Sequence, residues 1–464
     1  MRVNCIFVNE ARNRILLVPA YQGWELPGFD VRLESVDPYD TAFLHKLVKS
    51  LVPWNIEPLY AMDFTEAGQT SVLAVFEALG YQLEPAGHGD WFKREDALGN
   101  INDSRQKSFA ASCLSGNEMN TEKDFMPWLA GGWFREAEAW ILEQLAAPHI
   151  SINSSPVHVK SSFLGKVLRI DTGKGTVYFK AVPRFYNREI AITRALFEWR
   201  PKRIPEPIIV DPRRGWMLLG EIKGPTLAQV DREETWQETI RTYARLQRDS
   251  IRFINEHPAN PFFDMRRDSI CPGIDRMLKN LPKLQAGYTE PLGLEEIKVL
   301  HQLSPKLKRA CVEMESYSVP CALEHGDLHP GNIRITKDGP VFLDWAWSCV
   351  TNPFLSVFQL LHERKMPGEL NYVRDRLLWT YLREWLDYTY DDRLKALYQL
   401  AEKWRFIQYA VADAEWLSSY LKELSGKTID QGSYLAWTIS RRQYYLVKSL
   451  RRILEIWGET KPVN

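Results

Sequence analysis

The sequence predicts an α+β protein with three parts along the chain: a mixed strand-and-helix part, a small antiparallel sheet, and a long helical part. Three observations predict this class. Short β-rich runs joined by tight turns fill residues 167–219, apolar residues at helical spacing dominate after Leu227, and both patterns occur in the first part. A length of 464 residues is also too great for one ordinary domain.

Charge and cysteine content exclude several classes of protein. Lys plus Arg number 59 and Asp plus Glu number 59, so no net charge favours nucleic acid or an anionic membrane as a partner. The six cysteines form no CxxC pair, which argues against structural zinc or a disulfide framework. Because no long apolar run or secretory layout occurs, we expect a cytoplasmic protein without a membrane span.

In the first part, Val3–Val8, Ile15–Val18 and Ser71–Leu79 are predicted strands. Thr41–Leu51 has helical spacing, with its large apolar residues on one face. The polar composition of Asn100–Lys123 predicts a linker or surface excursion.

The middle part predicts a leading helix and then a sheet with one inserted helix. The predicted elements are a helix at Trp133–Leu145, strands at Val167–Ile170 and Val177–Val182, a helix at Asn187–Trp199, and a hairpin of Ile208–Val210 with Trp216–Leu219. In the helical part that follows, Ile333–Leu343 is the exception, where two short strands flank a turn at Lys337–Gly339. The last predicted helix is Arg441–Trp457.

One segment carries residues suited to phosphoryl transfer. That reaction needs a carboxylate near the acceptor hydroxyl and oxygen ligands for Mg²⁺. In HGDLHPGNI, His325–Ile333, the candidates are Asp327 as catalytic base, Asn332 as a metal ligand and His325 as a brace for the loop. Asp344 follows the apolar run 341–343, and strand–turn–strand geometry would fold it back beside Asn332 as the second metal ligand.

HGDLHPGN followed by LDW resembles the aminoglycoside phosphotransferase and choline kinase family, relatives of protein kinases. The resemblance covers about residues 151–457. It implies a bilobal protein-kinase-like fold with a small antiparallel β N-lobe and a helical C-lobe. It also implies ATP, or another nucleoside triphosphate, and Mg²⁺ as cofactors, with a small-molecule hydroxyl as acceptor.

The β-rich run VYFKAV suits a strand lysine, Lys180, that reaches the α- and β-phosphates. Glu189 is its candidate ion-pair partner, and Glu198 is the alternative. The family pattern continues into a hinge, where the backbone of Glu221, Ile222 and Lys223 would meet adenine.

Two stretches depart from the family pattern. The predicted phosphate-covering loop, Ser161–Lys166, is not a GxGxxG. The stretch Asn352–Ser356 has Asn and Ser where the family often has Asp, which leaves the subfamily open.

Val18–Val31 resembles the entry to a Nudix fold, and Gly28 and Glu34 keep the first spacing of its box. The positions that should supply carboxylates, 42–47, read AFLHKL, so no diphosphate hydrolase is expected. The alternative is an unrelated α/β domain.

These readings give four predicted segments: a degenerate Nudix-like domain at 1–110, a linker at 111–130, an N-lobe with its leading helix at 131–225, and a helical C-lobe at 226–464. The predicted function is ATP-dependent transfer of the γ-phosphoryl group to a metabolite or antibiotic hydroxyl. The alternative is a catalytically inactive kinase-like binding or scaffold protein. A protein kinase is disfavoured because DFG and APE are absent.

The acceptor and the oligomeric state, including a homodimer, are left open by the sequence. Asp387, Asp413 and Glu415 would suit a cationic acceptor or a solvated helix face, and Arg405 suits a neutral or anionic acceptor equally well.

Overall fold

The computed structural model describes residues 2–9, 11, 13–21, 23–30, 40–52, 54–66, 69–79, 89–114, 125–146, 149–363, 366–427, 429 and 433–458. The chain divides into two compact units. The first comprises Met1–Ile190, Pro207–Glu221 and Gly426–Thr438, and the second comprises Ala191–Glu206, Ile222–Ser425 and Ile439–Asn464.

The first unit begins with a seven-stranded sheet. Its strands are β1 (Arg2–Asn9), β2 (Arg14–Pro19), β3 (Trp24–Glu25), β4 (Gly28–Asp30), β5 (Asn55–Glu66), β6 (Gln69–Leu79) and β7 (Asp90–Lys93). The order is β3-β2-β1-β6-β5, with β4 paired to β1 and β7 paired to β2. β1 runs parallel to β6, and the other pairs are antiparallel.

Helix α1 (Thr41–Lys49) covers this sheet. Asp40 caps its first turn by accepting a hydrogen bond from the Phe43 amide at 2.9 Å. Leu44 and Val48 pack into the core formed by the alternating inward residues of β1, β5 and β6. This predicted helix and the three predicted strands of the first part are confirmed.

The stretch predicted as a linker contains structure that the sequence reading missed. Helix α2 (Arg94–Asn100) precedes α3 (Ser104–Leu114), so residues 104–114 of this stretch are helical. Residues 115–124 lie outside the described residues, as does Glu34. The resemblance of the first part to a Nudix fold stays a prediction.

A second sheet in the first unit has five antiparallel strands. They are β8 (Val157–Ser162), β9 (Gly165–Thr172), β10 (Gly175–Ala181), β11 (Pro207–Asp211) and β12 (Trp216–Gly220), in the order β11-β12-β10-β9-β8. Helix α4 (Trp133–Ala146) precedes the sheet, and α5 (Arg188–Trp199) lies between β10 and β11 in sequence. The four strands and two helices predicted here are confirmed, and β8 was missed.

Aromatic rings pack α4 onto this sheet. Trp133 and Trp140 contact Phe179 of β10 and Trp216 of β12 with ring centroids 5.5–6.1 Å apart. Such edge-to-face contacts add to the gain from burying large apolar surfaces. The predicted leading helix is therefore an integral part of the sheet's core.

The second unit is mainly helical, as predicted. Its longer helices are α6 (Glu233–Glu256), α7 (Arg267–Leu284), α8 (Leu294–Ser316), α10 (Arg374–Leu382) and α11 (Asp391–Glu423), with a short α9 (Leu355–Phe358). Helix α12 (Tyr434–Trp457) begins in the first unit and extends the predicted last helix towards its amino end. Among the helices that the structure describes, none is long and apolar enough to cross a membrane.

Two small sheets of the second unit flank the loop at residues 325–332. β13 (Phe263–Asp264), β14 (Ala322–Glu324) and β17 (Cys349–Thr351) form one, and β15 (Ile333–Thr336) pairs with β16 (Gly339–Phe342) in the other. The hairpin predicted within 333–343 is thereby confirmed, and so is the α+β class with a small antiparallel sheet followed by a helical part. The four predicted segment boundaries stay predictions.

Candidate active site

A buried carboxyl group anchors the loop that follows β14. Glu324 accepts hydrogen bonds from the Gln247 side chain at 2.9 Å and from the Ser356 amide at 2.8 Å. The Tyr243 hydroxyl lies 3.4 Å from the same carboxyl group and accepts from the His325 amide at 3.1 Å. Burial raises the pKa of Glu324 to about 8. Sequence reasoning missed this anchor, because its partners lie far apart in the chain.

His325 ties the loop to the strand that leads to Asp344. Burial lowers the pKa of His325 to about 4, so the imidazole is neutral near pH 7. The Asp327 amide donates to Nδ1 at 3.3 Å, which leaves Nε2 to donate to the Leu343 carbonyl at 2.7 Å. The ring also packs against Trp345, with centroids 4.4 Å apart.

Gly326 allows a close approach within this loop. Its φ is 80°, in the left-handed region that favours glycine. A Cβ atom at this position would lie 2.3 Å from the Trp347 carbonyl oxygen. The loop therefore needs glycine for both its backbone angle and its contact.

Two side-chain amides orient the carboxylate of Asp327. Asn332 Nδ2 donates to the Asp327 carbonyl at 3.0 Å and lies 3.4 Å from Oδ2. Gln359 Nε2 donates to Oδ1 at 3.3 Å, and Gln359 Oε1 accepts from the Leu328 amide at 2.7 Å. Sequence reasoning missed Gln359, which lies 32 residues after Asp327.

The β15–β16 hairpin places Asn332 opposite Leu343, the residue before Asp344. Ile333 is opposite Phe342, and the Leu343 amide donates to the Asn332 carbonyl at 2.8 Å. The placement of the Asp344 side chain beside that of Asn332 stays a prediction. Asp344 has a φ of 62°, a strained angle for a residue with a side chain.

The donor set of Asn332 and Asp344 suits a hard cation. Because Asn332 uses its Nδ2 on Asp327, its Oδ1 is the amide atom left to act as a ligand. One amide oxygen and one carboxylate match the few protein ligands that Mg²⁺ takes while keeping waters. Within the described residues, no cluster of three or more His, Cys, Asp or Glu forms another metal site.

The first unit holds the candidate lysine. Lys180 of β10 forms a hydrogen-bonded ion pair with Glu189, in the first turn of α5, and both side chains are largely buried. Glu198, the alternative partner, instead pairs with Arg194 at 3.0 Å on an exposed face. The ion pair is therefore made with Glu189.

The residues predicted to meet adenine follow β12 without regular secondary structure. Glu221 and Lys223 are exposed, and Ile222 between them is half-buried. The predicted phosphate-covering loop lies at the turn between β8 and β9. Ser161 and Ser162 end β8, Lys166 lies in β9, and all three are buried.

Two features are typical of phosphotransferases. One is a strand lysine that pairs with a helix glutamate. The other is a loop aspartate that is followed by a hairpin with an Asn and an Asp. The model of the family described as APH, phosphotransferase enzyme family, matches residues 162–404, which is more than half of the chain. The chain belongs to this family.

Several solved structures are similar to the chain. The choline kinase LicA from Streptococcus pneumoniae has 14% identity and a TM-score of 0.41, over 68% of this chain and 99% of that one. An ethanolamine kinase from Plasmodium vivax has 13% identity and a TM-score of 0.42, over 76% and 96%. The ADP-bound aminoglycoside phosphotransferase APH(2'')-Ib has 13% identity and a TM-score of 0.43, over 68% and 99%. A search of curated proteins finds no match.

Proposed function

We propose that this chain is an ATP-dependent phosphotransferase that moves the γ-phosphoryl group to a hydroxyl of a small molecule. The observation that carries the proposal is the carboxylate of Asp327, which Asn332 and Gln359 hold in one orientation within a loop of the family's pattern. A carboxylate fixed in this way is suited to orient an acceptor hydroxyl and accept its proton.

A side-chain amide donates to each carboxylate oxygen of Asp327, and His329 Nε2 lies 4.0 Å from Oδ2. A carboxylate oxygen can accept more than one hydrogen bond, so an acceptor hydroxyl can donate to it as well. His325 acts through the backbone, because its neutral ring joins the Asp327 amide to the Leu343 carbonyl. In this role His325 is a positioning residue and Asp327 is the base.

Asn332 and Asp344 are the proposed ligands of Mg²⁺. The ion, when bound, would offset the negative charge that develops during phosphoryl transfer. The chain's own contribution is the backbone hydrogen bond between the Leu343 amide and the Asn332 carbonyl, which ties the residue before Asp344 to Asn332.

Lys180 is the proposed cation for the α- and β-phosphates, and Glu189 holds its ammonium group in place. The backbone of Glu221, Ile222 and Lys223 is proposed to meet adenine. Another nucleoside triphosphate would use the same phosphate contacts, so the choice of base rests with this segment.

An acidic face for a cationic acceptor finds no support in the ion pairs. Asp413 is buried and pairs with Arg442 at 3.0 Å, and Glu415 pairs with Arg276 at 2.6 Å. Asp387 pairs with Arg248. The acceptor is therefore proposed only as a hydroxyl-bearing metabolite or antibiotic.

A binding or scaffold protein is the second candidate function. All four residues that transfer needs are of the required type: Lys180, Asp327, Asn332 and Asp344. The two functions separate in a screen of γ-labelled ATP against alcohol-bearing metabolites and antibiotics, with and without Mg²⁺. We expect Mg²⁺-dependent labelling of at least one acceptor, whereas ATP binding without any labelled product favours the scaffold.

A further inference from the structure

The β8–β9 hairpin, residues 157–172, is buried at the end where the family resemblance places a phosphate-covering loop. Ser161, Ser162 and Lys166 are 1%, 5% and 0% exposed. The segment Ser161–Lys166 has one glycine, Gly165, rather than the repeated glycines that let such a loop move freely. Contacts with other parts of the chain therefore have to fix the position of this hairpin.

Helix α1 and strand β5 of the first sheet make the contacts that bury this end. Thr41 Oγ1 accepts from the Ser161 amide at 2.8 Å, and Ser161 Oγ donates to the Leu59 carbonyl at 2.6 Å. Both the backbone and the side chain of Ser161 are thus held by the amino-terminal part of the first unit.

The same threonine begins a chain of buried hydrogen bonds. Burial, with the nearby Lys166, lowers the pKa of His158 to about 4, so its ring is neutral near pH 7. His158 Nε2 lies 3.0 Å from Thr41 Oγ1 and Nδ1 lies 3.1 Å from Glu57 Oε1. Because a carboxylate only accepts, Nδ1 carries the proton, and Nε2 accepts from the threonine hydroxyl.

A buried ion pair completes the network. Lys166 donates to Glu57 and to the Pro58 carbonyl. Burial opposes ionisation of Glu57, but Lys166 and His158 outweigh it and lower the pKa of Glu57 to about 2. A buried ion pair of this kind gives little net stability, because both charged groups lose their hydration. Loss of either partner nevertheless lowers stability strongly, since the other charge is then buried without a partner. The pair therefore favours one arrangement of its strands.

The hairpin that this network fixes lies beside Lys180. Val167 of β9 is opposite Lys180, and Lys166 is opposite Ala181. A Cβ atom at Gly165 would lie 2.8 Å from the Ala181 carbonyl and 3.8 Å from Lys180 Cε. A shift of the hairpin would therefore change the position of Lys180, the residue proposed to contact phosphate.

We infer that Thr41 and Glu57 are positioning residues for the nucleotide site, and that the amino-terminal sheet serves to hold the hairpin in its phosphate-covering position. The inference rests on the proposed function. When a loop is already ordered before the ligand binds, binding does not include the entropic cost of ordering that loop. The amino-terminal sheet would thus raise the affinity for ATP without touching it.

The test compares Thr41→Val with wild type. The substitution keeps the shape of the side chain and removes the hydroxyl that joins Ser161 to His158. We expect KM for Mg·ATP to rise about tenfold while kcat stays within about twofold, because the change acts on preorganisation rather than on the reacting groups. Thr41→Ser, which restores the hydroxyl, should restore KM.

Val72→Ala is the matched control. Val72 is 1% exposed in the core of the same sheet and belongs to no part of the network, so its truncation weakens the sheet alone. Its KM for Mg·ATP should equal that of wild type. An equal rise in KM for Val72→Ala and Thr41→Val would overturn the inference. It would show that KM depends on the stability of the sheet in general and not on the hydrogen bonds of Thr41.

Hydrogen exchange without nucleotide separates this inference from the proposed function. Thr41→Val should speed exchange in residues 157–166 relative to wild type and to Val72→Ala. Faster exchange with an unchanged KM overturns the positioning role and leaves the phosphotransferase proposal standing. If the wild-type protein binds no ATP, both proposals are contradicted. If it binds ATP but Thr41→Val leaves hydrogen exchange in residues 157–166 unchanged, only the positioning role is contradicted.

Discussion

Lys180 and Glu189 form a largely buried ion pair that joins the third strand of the five-stranded sheet to the first turn of the following helix. The pair fixes the position of an ammonium group that would otherwise move on a flexible four-carbon chain. An ammonium group fixed in this way is suited to meet phosphate oxygens, which is the role proposed for Lys180.

Lys180→Met should lower kcat/KM for phosphoryl transfer by at least about 100-fold, because a preorganised charge aimed at the phosphates is removed. Glu189→Gln keeps the lysine but weakens its anchor, and a loss of about tenfold is expected. Glu198→Gln is the control on the same helix, since that residue pairs with Arg194 at the surface. Equal losses for the two glutamate variants would contradict the assignment.

Asp344→Asn tests the proposed metal ligand. The affinity for ATP in the presence of Mg²⁺ should fall at least about tenfold, with little change in its absence, because an amide is a poorer ligand than a carboxylate for this ion. Calorimetric titration with and without Mg²⁺ measures the difference. Asp338→Asn, at the exposed turn of the same hairpin, should behave as wild type. Undiminished Mg²⁺ dependence in Asp344→Asn would remove the metal role.

Gly326→Ala should lower turnover by at least about 100-fold, because the new methyl group meets the Trp347 carbonyl and displaces the catalytic loop. Gly287 has almost the same φ, 77°, and no atom near the position of a Cβ. Gly287→Ala therefore isolates the backbone strain, about 1 kcal/mol of stability, and should leave turnover unchanged. Turnover and unfolding free energy, measured on both variants, separate strain from the close contact.

Glu324 should make stability depend on pH. Its pKa in the folded protein is raised to about 8, above the ordinary value of 4.5, so between these values the folded state binds more protons than the unfolded state. Stability therefore falls as pH rises through this window, by about 1.4 kcal/mol for each pH unit at most.

Glu324→Gln removes this dependence and mimics the protonated group. The unfolding free energy of wild type minus that of the variant should decrease from pH 5 to pH 8 in denaturant titrations. A difference that stays constant, or that rises with pH, would show that the carboxyl group is ionised when buried.

Short-range patterns in the sequence predicted four of the five strands of the five-stranded sheet and the 333–343 hairpin. The register of the hairpin also places Asn332 opposite the residue before Asp344. Gln359 left no such signal, because its contact with Asp327 depends on how the chain returns after β17. A glutamine on a helical turn is ordinarily a solvated residue.

Two further features were not predicted from the sequence. They are strand β5 and the burial of the β8–β9 hairpin. β5 contains Pro58, a residue that argues against a central strand, and the register with β6 shifts between Pro58 and Tyr60. The segment Ser161–Lys166 was predicted only as a phosphate-covering loop. Its burial depends on Glu57 and Thr41, which lie more than a hundred residues away in sequence.

Asp327→Asn gives the most direct test of the phosphotransferase proposal. Transfer of the γ-phosphoryl group to an acceptor found in the screen should fall at least about 100-fold, while binding of Mg·ATP persists, because the base is lost and the nucleotide contacts remain. Asp392→Asn, at an exposed position in the first turn of α11, is the matched control and should transfer phosphate at the wild-type rate. Wild-type transfer by Asp327→Asn would contradict the account.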